Sequence, residues 1–517
     1  MLARSSVACL LALSSPGFAL AGCDTASSRT DSGNTVVTSN GVAGAGPAST
    51  ASGGLAAGGI GGAAGVGGSS AATAGAAANA GAPAGGGGGA SGTGGSGGVA
   101  PDGGAGSAGG PSTVACVPWA PCDDGDPATS GDVCSGGICA GATADEPFIV
   151  HEWGTYTSVK ASDGHTLGGV HHIDEALPAW VHARVVASPS GNEVELIPEE
   201  PLQQLETPVL YFHSNVPRAI HVDVAFPQGI VGEWYPAATS YSPPIGSLAS
   251  IAKGTMSWDL TIDATLPTST FPPVSPDEIW APSRNVSCLP VRTAGDEREQ
   301  FVFYRGLGKF DPPVSVSAPD DATIHIENLA AESIPAVFVL RASGQSGAFA
   351  ALGPLAAGTA LDIPLPATVM SADAMTSAAR TALQSALEAS GLFSDEATAM
   401  VDTWTRSWLQ GDGLRILYVA PRAWTDGWLP TTITPAPTST VRTLVGRIEV
   451  LTPADEAALV GQITSAAASG CVMDLKTLGR FAEPLLFRAI EKMSTDPMAF
   501  ACAQSLRLTA HGSVPKP

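Results

Sequence analysis

Phe148-Ile149-Val150-His151-Glu152-Trp153-Gly154-Thr155-Tyr156-Thr157-Ser158-Val159 marks where the folded part of the chain begins. Taken as a strand, it puts Ile149, His151, Trp153, Thr155 and Thr157 on one face and Phe148, Val150, Glu152, Gly154 and Tyr156 on the other. A carboxylate then sits among apolar neighbours. A lone buried charge is too costly, so Glu152 must pair with a base such as Arg184 or Arg305, or stay protonated. A structural ion pair is the simpler reading; a functional carboxylate is the other, which makes Glu152 a candidate catalytic residue. His151-Glu152 also begins like a zinc-protease helix, but Thr155 stands where the second His belongs and Gly154 opposes a helix.

Downstream, short β-branched or aromatic segments bounded by turn residues read as strands: 208–213, 219–226, 229–235, 256–262, 300–304, 323–326 and 336–340. Ile220, Val222, Val224 and Phe226 alternate with polar residues such as His221 and Asp223, the pattern of a half-buried strand. The expectation for 146–345 is an antiparallel sandwich, with long proline-rich loops at 236–254 and 264–299. After Pro366 the period becomes helical. Ser371 is placed to cap a helix stopped by Gly391, a second runs from Ser394 to Gly411, and Thr452-Pro453-Ala454-Asp455 opens a third. Strands are expected at 414–420 and 441–451 between them. The fold class is therefore α+β: a β-rich, sandwich-like part at 146–345 and a helix-rich part with a few strands at 346–517. These are either two domains divided near 345–370 or one.

Upstream, 113–142 is a small module with Cys116, Cys122, Cys134 and Cys139 around Asp123-Asp124-Gly125-Asp126. Spacings of five, eleven and four between these cysteines lack the close pairs of a zinc ribbon, which favours disulfides over zinc. Cys471 and Cys502 are a further disulfide candidate, and Cys288 is left over. Asp123, Asp124 and Asp126 form either a calcium loop or a solvated turn. From 23 to 112 the chain is almost wholly Gly, Ala, Ser and Thr, too poor in apolar residues to repay ordering. It reads as a disordered tether reaching roughly 50 Å. Residues 1–22 carry one base, Arg4, and an apolar run too short and broken to span permanently.

Three resemblances follow from these residues. Leu20-Ala21-Gly22-Cys23 resembles the lipobox of bacterial lipoproteins, which implies that 1–22 is a signal peptide and that Cys23 is acylated. The protein would then be exported and lipid-anchored to a bacterial membrane, on the periplasmic side or the cell surface, since more than one acyl chain gives stable anchoring. The module at 113–142 resembles short Cys-Asp-Asp-Gly modules of exported myxobacterial proteins, with Ala128 where those carry a further cysteine. His151-Glu152-Trp153-Gly154-Thr155, Glu206-Thr207-Pro208-Val209, Glu233-Trp234-Tyr235-Pro236, Phe303-Tyr304-Arg305-Gly306 and Val445-Gly446-Arg447-Ile448 resemble blocks in a set of exported, uncharacterised proteins of myxobacteria and planctomycetes. That resemblance implies no activity.

Seven of nine histidines lie between 151 and 221. Imidazole with carboxylate suits zinc, copper or non-haem iron. The candidate ligands are His151, His171, His172 and His182, with Glu152 or Glu175 as ligand or base; exposed loop histidines are the alternative. Arg305-Gly306-Leu307-Gly308-Lys309 fails as a phosphate loop because Phe303 and Phe310 occupy required positions. A net charge of −23 argues against nucleic acid. Tryptophans in the folded part serve the core or line an aromatic groove for a protein or glycan ligand. The expected function is a membrane-anchored envelope lipoprotein whose ectodomain binds a ligand. The alternatives are a metal-dependent, hydrolase-like envelope enzyme with zinc or another transition metal, and a structural envelope component.

Overall fold

A computed structural model describes residues 116–135, 137–143, 145–172, 177–187, 193–195, 201–244 and 251–513. The signal peptide, Cys23, the 23–112 tether and Glu175 lie outside them. No helix among the described residues is long and apolar enough to cross a membrane.

The opening strand, Phe148–Lys160, lies inside an eleven-stranded sheet. It pairs antiparallel with Gln203–Ser214 on one side and parallel with Ser439–Val450 on the other. Beyond the first neighbour come Val302–Gly308, Gly229–Tyr235 and His182–Ala183; beyond the second come Gly413–Val419, Ile334–Ser343, Ser346–Leu355 and Met370–Ser371. The strand is buried at nearly every position because both of its faces are covered. Phe148, Val150 and Tyr156 meet a six-stranded sheet that contributes Ile220, Val222, Val224, Phe226, Met256 and Trp258. Trp153, with Val209 and Tyr211 beside it, faces helices instead. Three layers result, sheet on sheet on helix, and the class is α+β.

Two helices cover the second face. α1 (Ala372–Ala389) is capped by Ser371, whose side chain accepts from the Ala374 N–H at 3.3 Å, and it buries Met375, Ala379, Leu383 and Leu387. Each of the larger of these side chains contributes about 1.5–3 kcal/mol of burial. α2 (Ser394–Leu409) begins at Ser394, as expected; Phe393 is the cap, and the Glu396 side chain accepts its N–H at 2.8 Å. α3 (Arg422–Trp428) packs on the sandwich side through Trp428. α4 (Pro453–Ala468), α5 (Ala482–Lys492) and α6 (Pro497–Ser513) form a small core of their own, stapled by Cys471–Cys502.

The parts at 146–345 and 346–517, read as either one domain or two, both contribute strands to the same sheet. Gly413–Val419 and Ser439–Val450 lie between the opening strand and Ile334–Ser343, so the two parts share one hydrogen-bonded layer. The cysteine module is a hairpin, Thr129–Ser135 with Ile138–Thr143, held by Cys116–Cys134 and Cys122–Cys139. Trp119 fastens it to the six-stranded sheet. Its Nε1 donates to Thr265 Oγ1 at 3.1 Å, its carbonyl accepts from Thr261 Oγ1 at 2.8 Å, and Arg298 lies 4.9 Å over its ring.

Candidate functional site

Glu152 does not pair with Arg184 or Arg305. It is fully buried and accepts from Arg442 Nε and the Tyr304 hydroxyl. Arg184 instead donates to the carbonyls of Val231 and Pro243, and Arg305 pairs with Glu233. The parallel neighbour explains the difference, because Arg442 lies opposite Glu152 in register. Arg442 also donates to Asp426 Oδ1 at 2.7 Å and to the Leu429 carbonyl at 2.8 Å. Burial alone would lower its pKa, but Glu152, Tyr304 and Asp426 outweigh burial and raise it. Both Glu152 oxygens are committed, which is a structural role.

The histidines divide among separate carboxylates, so the expected single centre of His151, His171 or His172, and His182 is not formed. His182 Nε2 lies 2.9 Å from Glu297 Oε1 and its ring stacks on Trp234 and Tyr235. His221 Nδ1 meets Asp259 at 2.6 Å. The remaining named residues fall in two buried clusters.

The first is His151, His213 and Glu396. The two histidines come from adjacent strands on the helix-covered face, and Glu396 comes from the first turn of α2. His151 Nδ1 is 2.6 Å from Oε2 and His213 Nε2 is 2.9 Å from Oε1. Burial pushes the Glu396 carboxyl up, yet the two imidazole hydrogen bonds and the Phe393 N–H outweigh it and hold it below its usual range. The phenyl ring of Phe393 covers both imidazoles at 4.5 and 4.9 Å. His213 also lines a cleft of about 320 Å³ with Ser214, Asn215 and Cys288. Burial pushes the Cys288 thiol up to about 12, and Sγ donates to the Gln300 carbonyl at 3.2 Å, so no thiolate nucleophile is prepared there.

The second is His171, His172 and Glu483, joined by His511 from the last turn of α6. His171 Nε2 is 3.4 Å and His172 Nε2 3.9 Å from Glu483 Oε2, and His511 Nδ1 is 3.1 Å from the same oxygen. Burial and mutual repulsion, with that of His511, lower His171 to about 3; burial, His511 and Arg480 lower His172 to about 4, so both rings are neutral. Nε2 of each is buried without a hydrogen-bond partner.

The acidic turn of the cysteine module binds itself. Asp123, Asp124 and Asp126 accept the N–H groups of Gly125, Asp126 and Ala128 at 2.8–2.9 Å. Trp153, Trp234, Trp258, Trp280, Trp404, Trp408 and Trp428 are buried, and Trp180 and Trp424 are half-buried, Trp180 against Tyr235 and Trp280 and Trp424 against Trp428. Half-buried Trp119 instead lines a cleft of about 600 Å³ between the module and the six-stranded sheet, with Val117, Leu260 and Pro435 as apolar walls and His221, Asp259 and Arg292 as polar groups. The Asp259 hydrogen bond raises the His221 pKa against its burial, and Asp223 adds to the effect.

Glu297, Glu396, Glu483, His511 and Arg442 were not singled out by sequence reading. Glu396 carried a signal, an acid placed three residues after the cap of a helix; His511 is one of two histidines outside the 151–221 cluster.

No family model matches the chain, and no curated protein matches it. Among solved structures it is similar to the yeast delta-COP-I mu-homology domain, at 7% identity and a TM-score of 0.22, covering 60% of this chain and 98% of that one. The same domain complexed with a Dsl1 WxWxV peptide is similar at a TM-score of 0.21 over the same shares of each chain.

Proposed function

We propose that this chain is an exported envelope lipoprotein, tethered through acylated Cys23, whose ectodomain captures a ligand with an apolar body. The observation that carries the ligand reading is the cleft of about 600 Å³ beside Trp119. Its volume falls within the roughly 300–1,000 Å³ typical of small-ligand sites, and it combines apolar walls with a few convergent polar groups. Three disulfides support export, since such bonds persist in oxidising compartments. A tether of the composition at 23–112 leaves the body free to meet a ligand away from the headgroups.

The test is titration of the purified full chain with the apolar fluorophore 1-anilinonaphthalene-8-sulfonate, beside an Ala294→Trp variant that fills the cleft from its exposed rim. Saturable binding, weakened at least tenfold in the variant, is expected. A chain with no saturable binding, or with binding indifferent to Ala294→Trp, fits the structural-component alternative and overturns ligand capture. The anchor is tested separately by Cys23→Ser, which should move the exported chain from the membrane fraction to the soluble one.

A further inference from the structure

Val170-His171-His172 follows a tight turn at Gly169, where φ is +89. A Cβ at Gly169 would lie 2.7 Å from Glu483 Cγ, so glycine lets this loop run directly against α5. Glu483 stands in the first turn of α5 and His511 in the last turn of α6. The loop and α6 thus bring three imidazoles to one carboxylate of α5.

At His171 and His172 the spacing is longer than that of hydrogen bonds, whereas His511 Nδ1 bonds both Glu483 oxygens, at 3.2 and 3.1 Å. Around Glu483 Oε2 the three nitrogens stand at 3.4, 3.9 and 3.1 Å. Metal–nitrogen bonds of 2.0–2.1 Å in a tetrahedron place neighbouring ligand atoms about 3.3 Å apart. Nε2 of His171 and of His172 satisfy no hydrogen bond although the side chains are only 1% and 11% exposed. Buried polar atoms without partners are uncommon and costly, and a cation absorbs such lone pairs. The cluster around Glu396 also joins histidines to one glutamate, but with the opposite geometry: each of its two histidines is bonded to a different oxygen, at 2.6 and 2.9 Å. It is closed by hydrogen bonds.

The geometry points to a binding site for a first-row divalent metal of the zinc(II) class, formed by His171 Nε2, His172 Nε2 and Glu483 Oε2, whose ligand atoms lie within 4.8 Å of one another, with His511 Nδ1 giving up its hydrogen bonds to Glu483 to fill the fourth position. Four protein ligands make it a closed, structural centre rather than a catalytic one. It staples α5 and α6 to the loop that leaves the opening strand, beside the ion pairs Arg488–Asp163 and Arg480–Glu206. His511, 44% exposed, is the entry side, and Arg507, 3.5 Å from Glu483 Oε1, faces the other carboxylate oxygen. This site is independent of the cleft beside Trp119.

The experiment is elemental analysis of the full chain after equilibration with zinc(II) and removal of excess, in parallel with cobalt(II), whose visible absorption reports tetrahedral coordination. The variants are His171→Ala/His172→Ala and His511→Gln, with His213→Ala as control. Near-stoichiometric metal is expected in the native chain and in the control, with at least tenfold lower affinity in both site variants and a lower Tm of the native chain in chelator. If the double variant does not fold, His511→Gln decides, because that ring is half-exposed. A folded native chain holding less than a tenth of an equivalent, or a His511→Gln variant holding metal as tightly as the native chain, overturns the assignment.

Discussion

Arg442→Met tests the ion pair at the centre of the sheet. Arg442 and Glu152 are nearly inaccessible, and removing the guanidinium leaves Glu152 with only the Tyr304 hydroxyl and the Leu429 carbonyl with only the longer bond from Thr431 Oγ1 at 3.4 Å. Breaking a buried pair by deleting one partner costs about 3–5 kcal/mol, because the surviving charge is uncompensated. A body of roughly 370 residues has an unfolding entropy of about 0.8 kcal/mol/K, so the expected fall in Tm is about 4–6 °C. Glu152→Gln/Arg442→Met removes both charges and should be the more stable of the two variants, with a coupling energy of about 1–3 kcal/mol in a double-mutant cycle. Differential scanning calorimetry of the full chain is the assay. A fall below about 1 °C for Arg442→Met, or coupling of Glu152 to Arg305 in place of Arg442, would refute the pairing and restore the one expected from sequence.

Three further outcomes follow from the same structure. The Glu396 pKa is depressed on folding, so its stabilisation is present above the unfolded value near 4.5 and is lost as pH falls through the folded value; the Tm gap between native chain and Glu396→Gln should narrow as pH falls below 4.5, and a gap that widens there would contradict it. Gly169→Ala puts a Cβ against Glu483 at a positive φ and should cost roughly 1–2 kcal/mol, read as a fall in Tm of about 1–3 °C; an unchanged melt would count against the close approach. The Cys288 thiol, pushed up to about 12, should resist iodoacetamide at pH 8 in the folded chain and react on denaturation, so rapid labelling of the folded chain would place it elsewhere.

The strands with alternating or β-branched residues were legible because side-chain period and burial agree: Ile220, Val222, Val224 and Phe226 all enter the sandwich core. Ser346–Leu355 was not. Its Ala- and Gly-rich sequence has no β-branched residue, and it is a strand because a turn with φ +58 at Gly344 folds it back on Ile334–Ser343. Tertiary pairing overrides local preference there. The parallel pairing of Phe148–Lys160 with Ser439–Val450 was also hidden, since no local pattern reports a partner 290 residues away. That one pairing decided both the fate of Glu152 and the unity of the two expected parts.

The histidine-rich segment shows why composition stops short of chemistry. His151 and His171 were both candidates, the first beside Glu152 and the second beside His172 with Asp174 and Glu175 close by in sequence. Their roles diverge because each meets a glutamate from a different C-terminal helix, Glu396 of α2 or Glu483 of α5. At Glu396 two oxygens serve two imidazoles at hydrogen-bond length, and the cluster satisfies itself. At Glu483 only His511 stands at hydrogen-bond length; His171 and His172 lie at 3.4 and 3.9 Å, too long for most hydrogen bonds, and their Nε2 atoms are left over. Separations of 2.6 and 2.9 Å against 3.4 and 3.9 Å distinguish a closed polar core from a coordination shell, and that difference is set by the packing of α2 and of α5 and α6 on the sheet, not by the order of residues in the segment itself.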